Sequence, residues 1–203
     1  MVGTLPLFHQ APLDYKYALD AAMATLADKA APFVVCAVPQ LAAEIRQRLP
    51  NWAAGPASAA LWVEPQHGTW RAELQRFAKN LAPGAPLVII AARPLARLLP
   101  ERKAWADRPL GLEFYGLGGL KRGLHKAGFL LEAEYGIHSL AAIGLSLIGQ
   151  QMEGRGYPEV GDRLHFASRL AYQQSGWRAN WATVALLVAV RQASKREDGY
   201  ANS

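Results

Sequence analysis

The sequence predicts an α/β fold with a mostly parallel sheet. Three short apolar segments, residues 31–39, 59–65 and 86–92, alternate with stretches of helical periodicity, which is the pattern of a parallel sheet covered by helices. The third segment, PLVIIAA, has no polar residue and is therefore expected to be buried on both faces. With 203 residues, 51% of them hydrophobic and 19% charged, the chain has globular composition and is long enough for one well-buried domain.

The order of elements follows from the periodicity along the chain. Helices are predicted over 14–29, 40–49 and 70–81, and the third is expected to end at the turn of Pro83 and Gly84. In the second half we expect a helix over 117–127, a strand over 129–138, a helix over 139–152 and a last strand over 181–192. Residues 93–115 are predicted to be irregular or partly helical, 154–162 a turn-rich loop, and 163–177 a short helix or loop.

We predict one domain over 1–203. Residues 1–30 form its N-terminal helix region, 139–178 are an insertion between the last two strands, and 193–203 are a polar tail that is expected to fray. No repeat is visible. The N-terminus does not have the pattern of a signal peptide, and no apolar run is long enough to span a membrane, so a cytoplasmic location is expected.

Three phrases in the second half resemble class I S-adenosylmethionine-dependent methyltransferases. NLAPGAPLVIIAA is similar to the turn and strand in the middle of that family's sheet, and LGGLKRGLHKAGFLLEAEYGIH resembles the helix and strand that follow. WATVALLVAVRQ resembles the closing strand, which in the family runs antiparallel. The resemblance covers residues 59–192 and implies a Rossmann-like sheet with helices on both faces and an antiparallel last strand.

The first half departs from the family's pattern. The resemblance implies cofactor binding at a glycine-rich turn after the first strand, where the backbone must approach the ligand closely. Val38, Pro39 and Gln40 occupy that turn here, and Pro39 lacks an amide donor. Residues 39–58 are too few for the next two strand–helix units, so either those strands are missing or the first apolar segment is a later strand. We therefore expect a degenerate N-terminal half and no cofactor, with S-adenosylmethionine as the alternative.

Weak catalytic candidates follow the second predicted strand. Glu64 and His67 come after its carboxyl end, where ligands bind in open parallel sheets and where a general base could act. The five histidines are scattered without ligand spacing, so no metal site is expected. Cys36, the only cysteine, lies in an apolar run and is interpreted as a core residue rather than a nucleophile.

Positive charge indicates a possible partner surface. Lys and Arg total 22 against 16 acidic residues, a net charge of +6. Lys121, Arg122 and Lys126 fall on one side of their predicted helix, which fits either a solvated face or an anionic partner. Of the six tryptophans, any that are exposed would also suggest a partner surface. If the apolar residues 139–152 are not buried in the domain, they would dock onto a partner or contact a membrane peripherally.

Two main functions remain open at this level. The preferred one is a non-catalytic, methyltransferase-like accessory protein that binds a protein partner, another copy of itself or an anionic partner. The alternative is an active S-adenosylmethionine-dependent methyltransferase with a divergent cofactor pocket. A nucleic-acid-binding module that uses the basic residues is less favoured and predicts salt-sensitive binding.

Overall fold

A computed structural model describes residues 13–29, 31–49, 57–98 and 116–193. The predicted frayed tail, most of the irregular stretch over 93–115 and the first residues of the N-terminal region lie outside the described residues. In the described ranges, six strands form one sheet, with helices on both of its faces.

The strands are β1 Phe33–Cys36, β2 Ala60–Val63, β3 Pro86–Ala92, β4 Phe129–Ser139, β5 Gln173–Ser175 and β6 Ala182–Arg191. Their order across the sheet is β1-β2-β3-β6-β4-β5. The first three are parallel, and β6 pairs antiparallel with both β3 and β4. The predicted Rossmann-like sheet with an antiparallel last strand is therefore confirmed.

The helices are α1 Leu13–Leu26, α2 Pro39–Arg48, α3 Trp70–Asn80, α4 Gly118–Lys126, α5 Leu140–Gly154 and α6 Pro158–Leu170. Short 3₁₀ helices cover Pro94–Leu98 and Gly176–Trp181. The predicted loop over 154–162 is wrong in its second half, because Pro158 begins α6. Proline is well suited to a first helical position, where no amide hydrogen bond is needed.

Each face of the sheet carries its own core, as the alternation of side chains along a strand requires. On one face, Trp62 and Ile89 pack with Phe77 of α3 and Leu120 of α4. On the other face, residues of β2 and β3 pack with Leu19 of α1 and with α2. Every residue of β2 is buried, which explains why this strand is apolar on both faces.

The antiparallel direction of β6 determines what lies at each edge of the sheet. Ala92 at the end of β3 pairs with Val184, and Ser139 at the end of β4 pairs with Ala182. The start of β6 therefore lies at the edge where the other long strands end, which we call the carboxyl edge. Between β1 and β2 the described residues contain α2 and an isolated bridge from Ala57 to Leu81.

Candidate functional site at the carboxyl edge

Glu64 follows β2 at the carboxyl edge and is held in an unusual conformation. Its φ is 56°, in the left-handed region, and only 1% of the residue is exposed. The hydroxyl of Tyr15 donates a hydrogen bond to Oε2, and the amide of Ala92 donates to the same oxygen over 3.3 Å. A left-handed non-glycine residue costs on the order of 1–3 kcal/mol and is over-represented at functional sites, so Glu64 marks this edge as a candidate site.

His67 lies in the turn after Glu64 and is partly exposed. The amide nitrogen of the Gln66 side chain donates to the carbonyl oxygen of Glu64 over 2.6 Å, which fixes the start of this turn. The structure thus places Glu64 and His67 on one loop but in different surroundings. Glu64 is buried with Tyr15 of α1, whereas His67 reaches solvent.

The turn from β1 into α2 contains the predicted degenerate loop. The side chain of Val38 is buried, with 3% of the residue exposed, in the same core as Leu41 and Ile45. Pro39 is exposed and occupies the start of α2. Gln40 belongs to α2, but its side chain lies outside the described residues. No described side chain caps the helix, so the amides of Gln40 and Leu41, which follow Pro39, suit an anionic group at the edge.

Arg93 follows β3 at the same edge and organises a charged cluster. It is 5% exposed and forms an ion pair with Glu134 of β4, while its Nη1 donates to the side chain of Asn180 over 3.1 Å. Lys121 also pairs with Glu134. Burial alone would raise the pKa of Glu134, but hydrogen bonds from Lys121 and Arg93 outweigh it and lower the pKa.

The predicted basic surface divides in the structure. Lys121 turns toward Glu134, whereas Arg122 and Lys126 line an open groove of about 320 Å³ between α3 and α4. Arg71 lines the same groove and lies over the ring of Trp70, 4.5 Å from its centroid. Whether this groove meets an anionic or protein partner stays a prediction.

The sequence motifs do not indicate that Tyr15 bonds to Glu64 or that Arg93 pairs with Glu134. Tyr15 lies four residues before Leu19, on the same helical face, and this spacing was the available signal that it would be buried. Arg93 and Glu134 are 41 residues apart, and only the strand order brings them together.

Cys36 is the last residue of β1, and its thiol lies close enough to Glu64 to be affected by that charge. Burial raises its pKa to about 11, and the charge of Glu64 acts in the same direction. Such a thiol is protonated at neutral pH and is a poor nucleophile. Among the described residues no group of three or more His, Cys, Asp or Glu side chains could hold a metal ion. In the same ranges, every helix is too short or too polar to cross a membrane.

Comparison with known proteins identifies the fold. No family model matches the chain, and no curated protein matches it. The chain is similar to a solved S-adenosylmethionine-dependent methyltransferase of Thermotoga maritima, described as a possible histamine N-methyltransferase, with 12% identity, 92% of each chain covered and a TM-score of 0.52.

Two further solved structures have lower scores. The N-methyltransferase NodS of Bradyrhizobium japonicum WM9, in complex with S-adenosylhomocysteine, has 12% identity, with 90% of this chain and 89% of that chain covered, and a TM-score of 0.44. The cyclopropane synthase MmaA2 of Mycobacterium tuberculosis has 16% identity and a TM-score of 0.34, with 68% of this chain covered. The chain spans 57% of the length of that synthase.

The expectation that no cofactor is used is wrong, because the solved structure that the chain resembles with a TM-score of 0.52 is an S-adenosylmethionine-dependent methyltransferase. That the turn is degenerate stays a prediction, and the structure shows how two of its residues are placed. Val38 directs its side chain into the core and not toward the edge, and Pro39 occupies a position that needs no amide donor. The chain has the Rossmann-like fold of the class I S-adenosylmethionine-dependent methyltransferases.

Proposed function

We propose that this chain is a methyltransferase that uses S-adenosylmethionine. Of the two functions that the sequence left open, the comparisons favour this one over the accessory protein. The observation that carries the proposal is the combination at the carboxyl edge of an uncapped helix start at Val38 and a buried carboxylate at Glu64. Ligands of open parallel sheets bind outside this edge.

The charges of this edge fit the cofactor. S-adenosylmethionine carries a carboxylate, an ammonium group and a sulfonium cation. The amides that follow Pro39 in α2 suit the carboxylate, because a helix N-terminus stabilises negative charge. The negative charge of Glu64 on the neighbouring strand favours the cationic groups. Glu64 is assigned as a positioning residue, since it is buried with Tyr15.

When bound, the cofactor supplies a methyl group to a nucleophilic atom of the acceptor. In that transfer a bond to the methyl carbon would replace the carbon–sulfur bond, whose electron pair would stay on sulfur. The protein's part is to align the two reactants, because in-line transfer depends mostly on positioning. His67, partly exposed in the turn after Glu64, is the candidate to accept a proton from the acceptor.

Calorimetric titration with S-adenosylmethionine and S-adenosylhomocysteine tests the proposal. We expect both ligands to bind the wild type. Glu64→Gln should weaken the binding of S-adenosylmethionine more than that of S-adenosylhomocysteine, whose sulfur is neutral. Glu132→Gln, on an exposed position of β4, removes the same charge elsewhere and should leave both affinities unchanged. Absence of heat with either ligand at millimolar concentration would refute the proposed function.

A further inference from the structure

A second groove opens at the carboxyl edge, beside the elements between β4 and β6. It has a volume of about 470 Å³. Leu140 and Ala141 at the start of α5 line one side, and Trp177, Arg178 and Trp181 of the 3₁₀ helix line the other. The lining is mainly apolar, and neither the cofactor-edge residues nor the basic groove between α3 and α4 contributes to it.

The sheet register places this groove next to the candidate cofactor site. Ser139, which lines the groove, pairs with Ala182 at the start of β6. The amide of Arg93 donates to the carbonyl oxygen of Thr183 over 2.8 Å, so β3 ends beside the same segment. From β2, where Glu64 lies, to β4 there are three strand spacings, or about 14 Å. The groove and the cofactor site therefore lie at the same edge of the sheet, on the order of 14 Å apart.

Two tryptophans give the groove its chemical character. Trp177 is 71% exposed and Trp181 is 56% exposed, whereas tryptophan is usually well buried. Leu140, with 38% exposed, continues the apolar lining. Flat apolar side chains that stay exposed at a concave surface indicate a binding site for an apolar ligand, and indole rings favour stacking with another aromatic ring.

Arg178 adds one positive charge to the lining. Its guanidinium lies over the ring of Trp177, 5.7 Å from the centroid. No carboxylate is among the described residues that line the groove. A guanidinium recognises a carboxylate through two parallel hydrogen bonds, and here it would do so beside an aromatic platform. The groove is thus complementary to a ligand with an aromatic body and one negative charge.

We infer that this groove binds the methyl acceptor and that the acceptor is an aromatic carboxylate. The assignment of the ligand as the methyl acceptor rests on the proposed methyltransferase function. The aromatic body stacks on Trp177 and Trp181, the carboxylate pairs with Arg178, and the nucleophilic atom extends along the edge toward the cofactor. The nucleophile's lone pair would form the bond to the methyl carbon, the carbon–sulfur electron pair would remain on sulfur, and any proton on the nucleophile would pass to His67.

Nuclear magnetic resonance of the indole N–H groups tests the groove with 2-naphthoate as probe. We expect the signals of Trp177 and Trp181, assigned with single Trp→Phe variants, to shift on titration. The signal of Trp62 should stay in place, because that side chain is fully buried and bonded to Glu73. Arg178→Gln should weaken the binding of 2-naphthoate at least about tenfold and leave the affinity for the neutral 2-naphthalenemethanol unchanged. Arg163→Gln on α6 is the matched control with no expected effect.

Several results would overturn the inference. Equal affinity for 2-naphthoate and 2-naphthalenemethanol would refute recognition of the carboxylate. If the Trp177 and Trp181 signals do not shift, the groove is not the binding site. Signals that shift with protein concentration alone, together with a dimer in light scattering, would assign the surface to a second copy. Binding to phosphatidylglycerol vesicles that 2-naphthoate does not displace would assign it to a lipid surface.

The two proposals fail in different ways. S-adenosylmethionine binding without 2-naphthoate binding would refute the groove inference and leave the proposed function standing. Binding of 2-naphthoate without S-adenosylmethionine would refute the proposed function and with it the acceptor role. Binding of both, with Arg178→Gln affecting only the carboxylate, would support both.

Discussion

The hydroxyl of Tyr15 on α1 donates a hydrogen bond to the carboxylate of Glu64 at the end of β2, and both side chains are almost completely buried. This bond joins a helix to the strand edge over 49 residues of sequence. It also holds Glu64 in its left-handed backbone conformation, together with the amide of Ala92. The helix before the sheet is therefore part of the candidate site.

Tyr15→Phe should destabilise the protein by about 1–3 kcal/mol, because a buried carboxylate loses a donor and gains no water. Urea unfolding measures the change in free energy. Tyr17→Phe is the matched control, since Tyr17 is 42% exposed on the same helix and keeps its ring contact with Tyr172. Equal stabilities of the two variants would contradict the assigned bond.

Two glycine substitutions should have opposite effects. A Cβ at Gly123 on α4 would lie 2.6 Å from the Trp70 ring, whereas one at Gly144 on α5 would meet nothing within 4 Å. Gly123→Ala should cost about 1–3 kcal/mol through overpacking. Gly144→Ala should stabilise by roughly 0.5–1 kcal/mol, because alanine favours the helix interior. Thermal unfolding of both variants measures this, and a stabilised Gly123→Ala would show that Trp70 can move.

The elements that the sequence predicted best are those determined by local patterns. The strand PLVIIAA spans Pro86–Ala92 as predicted, because an apolar run follows directly on a turn in which Gly84 has a φ of 81°. The start of α6 was missed because glycines precede Pro158, its first residue, and this composition is equally typical of a loop. Local composition could not distinguish a helix start from a turn there.

The candidate site was only partly predictable for the same reason. Glu64 follows a recognisable strand, so its position at the carboxyl edge could be inferred. Its burial depends on Tyr15, and the apolar groove depends on Ser139 meeting Trp181, which only the strand order brings about. The orientation of Val38 into the core could not be predicted, because the sequence does not tell which way its side chain points.

Stability at acidic pH should depend on Glu134. Burial raises the pKa of Glu134, but the hydrogen bonds with Lys121 and Arg93 lower it by more than burial raises it. The pKa in the folded state therefore lies below that in the unfolded state. The stabilisation is therefore present above the unfolded-state pKa, at about 4.3 for glutamate, and is lost as pH falls through the folded-state pKa.

Glu134→Gln should lower the free energy of unfolding at pH 7 by about 1–3 kcal/mol, because Arg93 loses a charged acceptor. Its free energy of unfolding should then fall less than that of the wild type as pH drops below about 4. Urea unfolding at a series of pH values checks both effects. Glu132→Gln, an exposed neighbour on β4, should follow the wild-type profile, and parallel profiles for all three proteins would contradict the ion cluster.

Cys36 should report the charge of Glu64 through its reactivity. With a pKa of about 11, the thiol should react with iodoacetamide at pH 8 on the order of a hundredfold more slowly than a free cysteine, because only the thiolate attacks. Glu64→Gln removes a negative charge that raises this pKa, so it should speed alkylation at a fixed pH. Glu44→Gln on α2, whose carboxylate pairs with Arg48, is the charge-matched control and should not change the rate. Alkylation followed by mass spectrometry from pH 7 to 10 gives the rates, and a wild-type midpoint near 8.5 would show that Cys36 is neither buried nor influenced by Glu64.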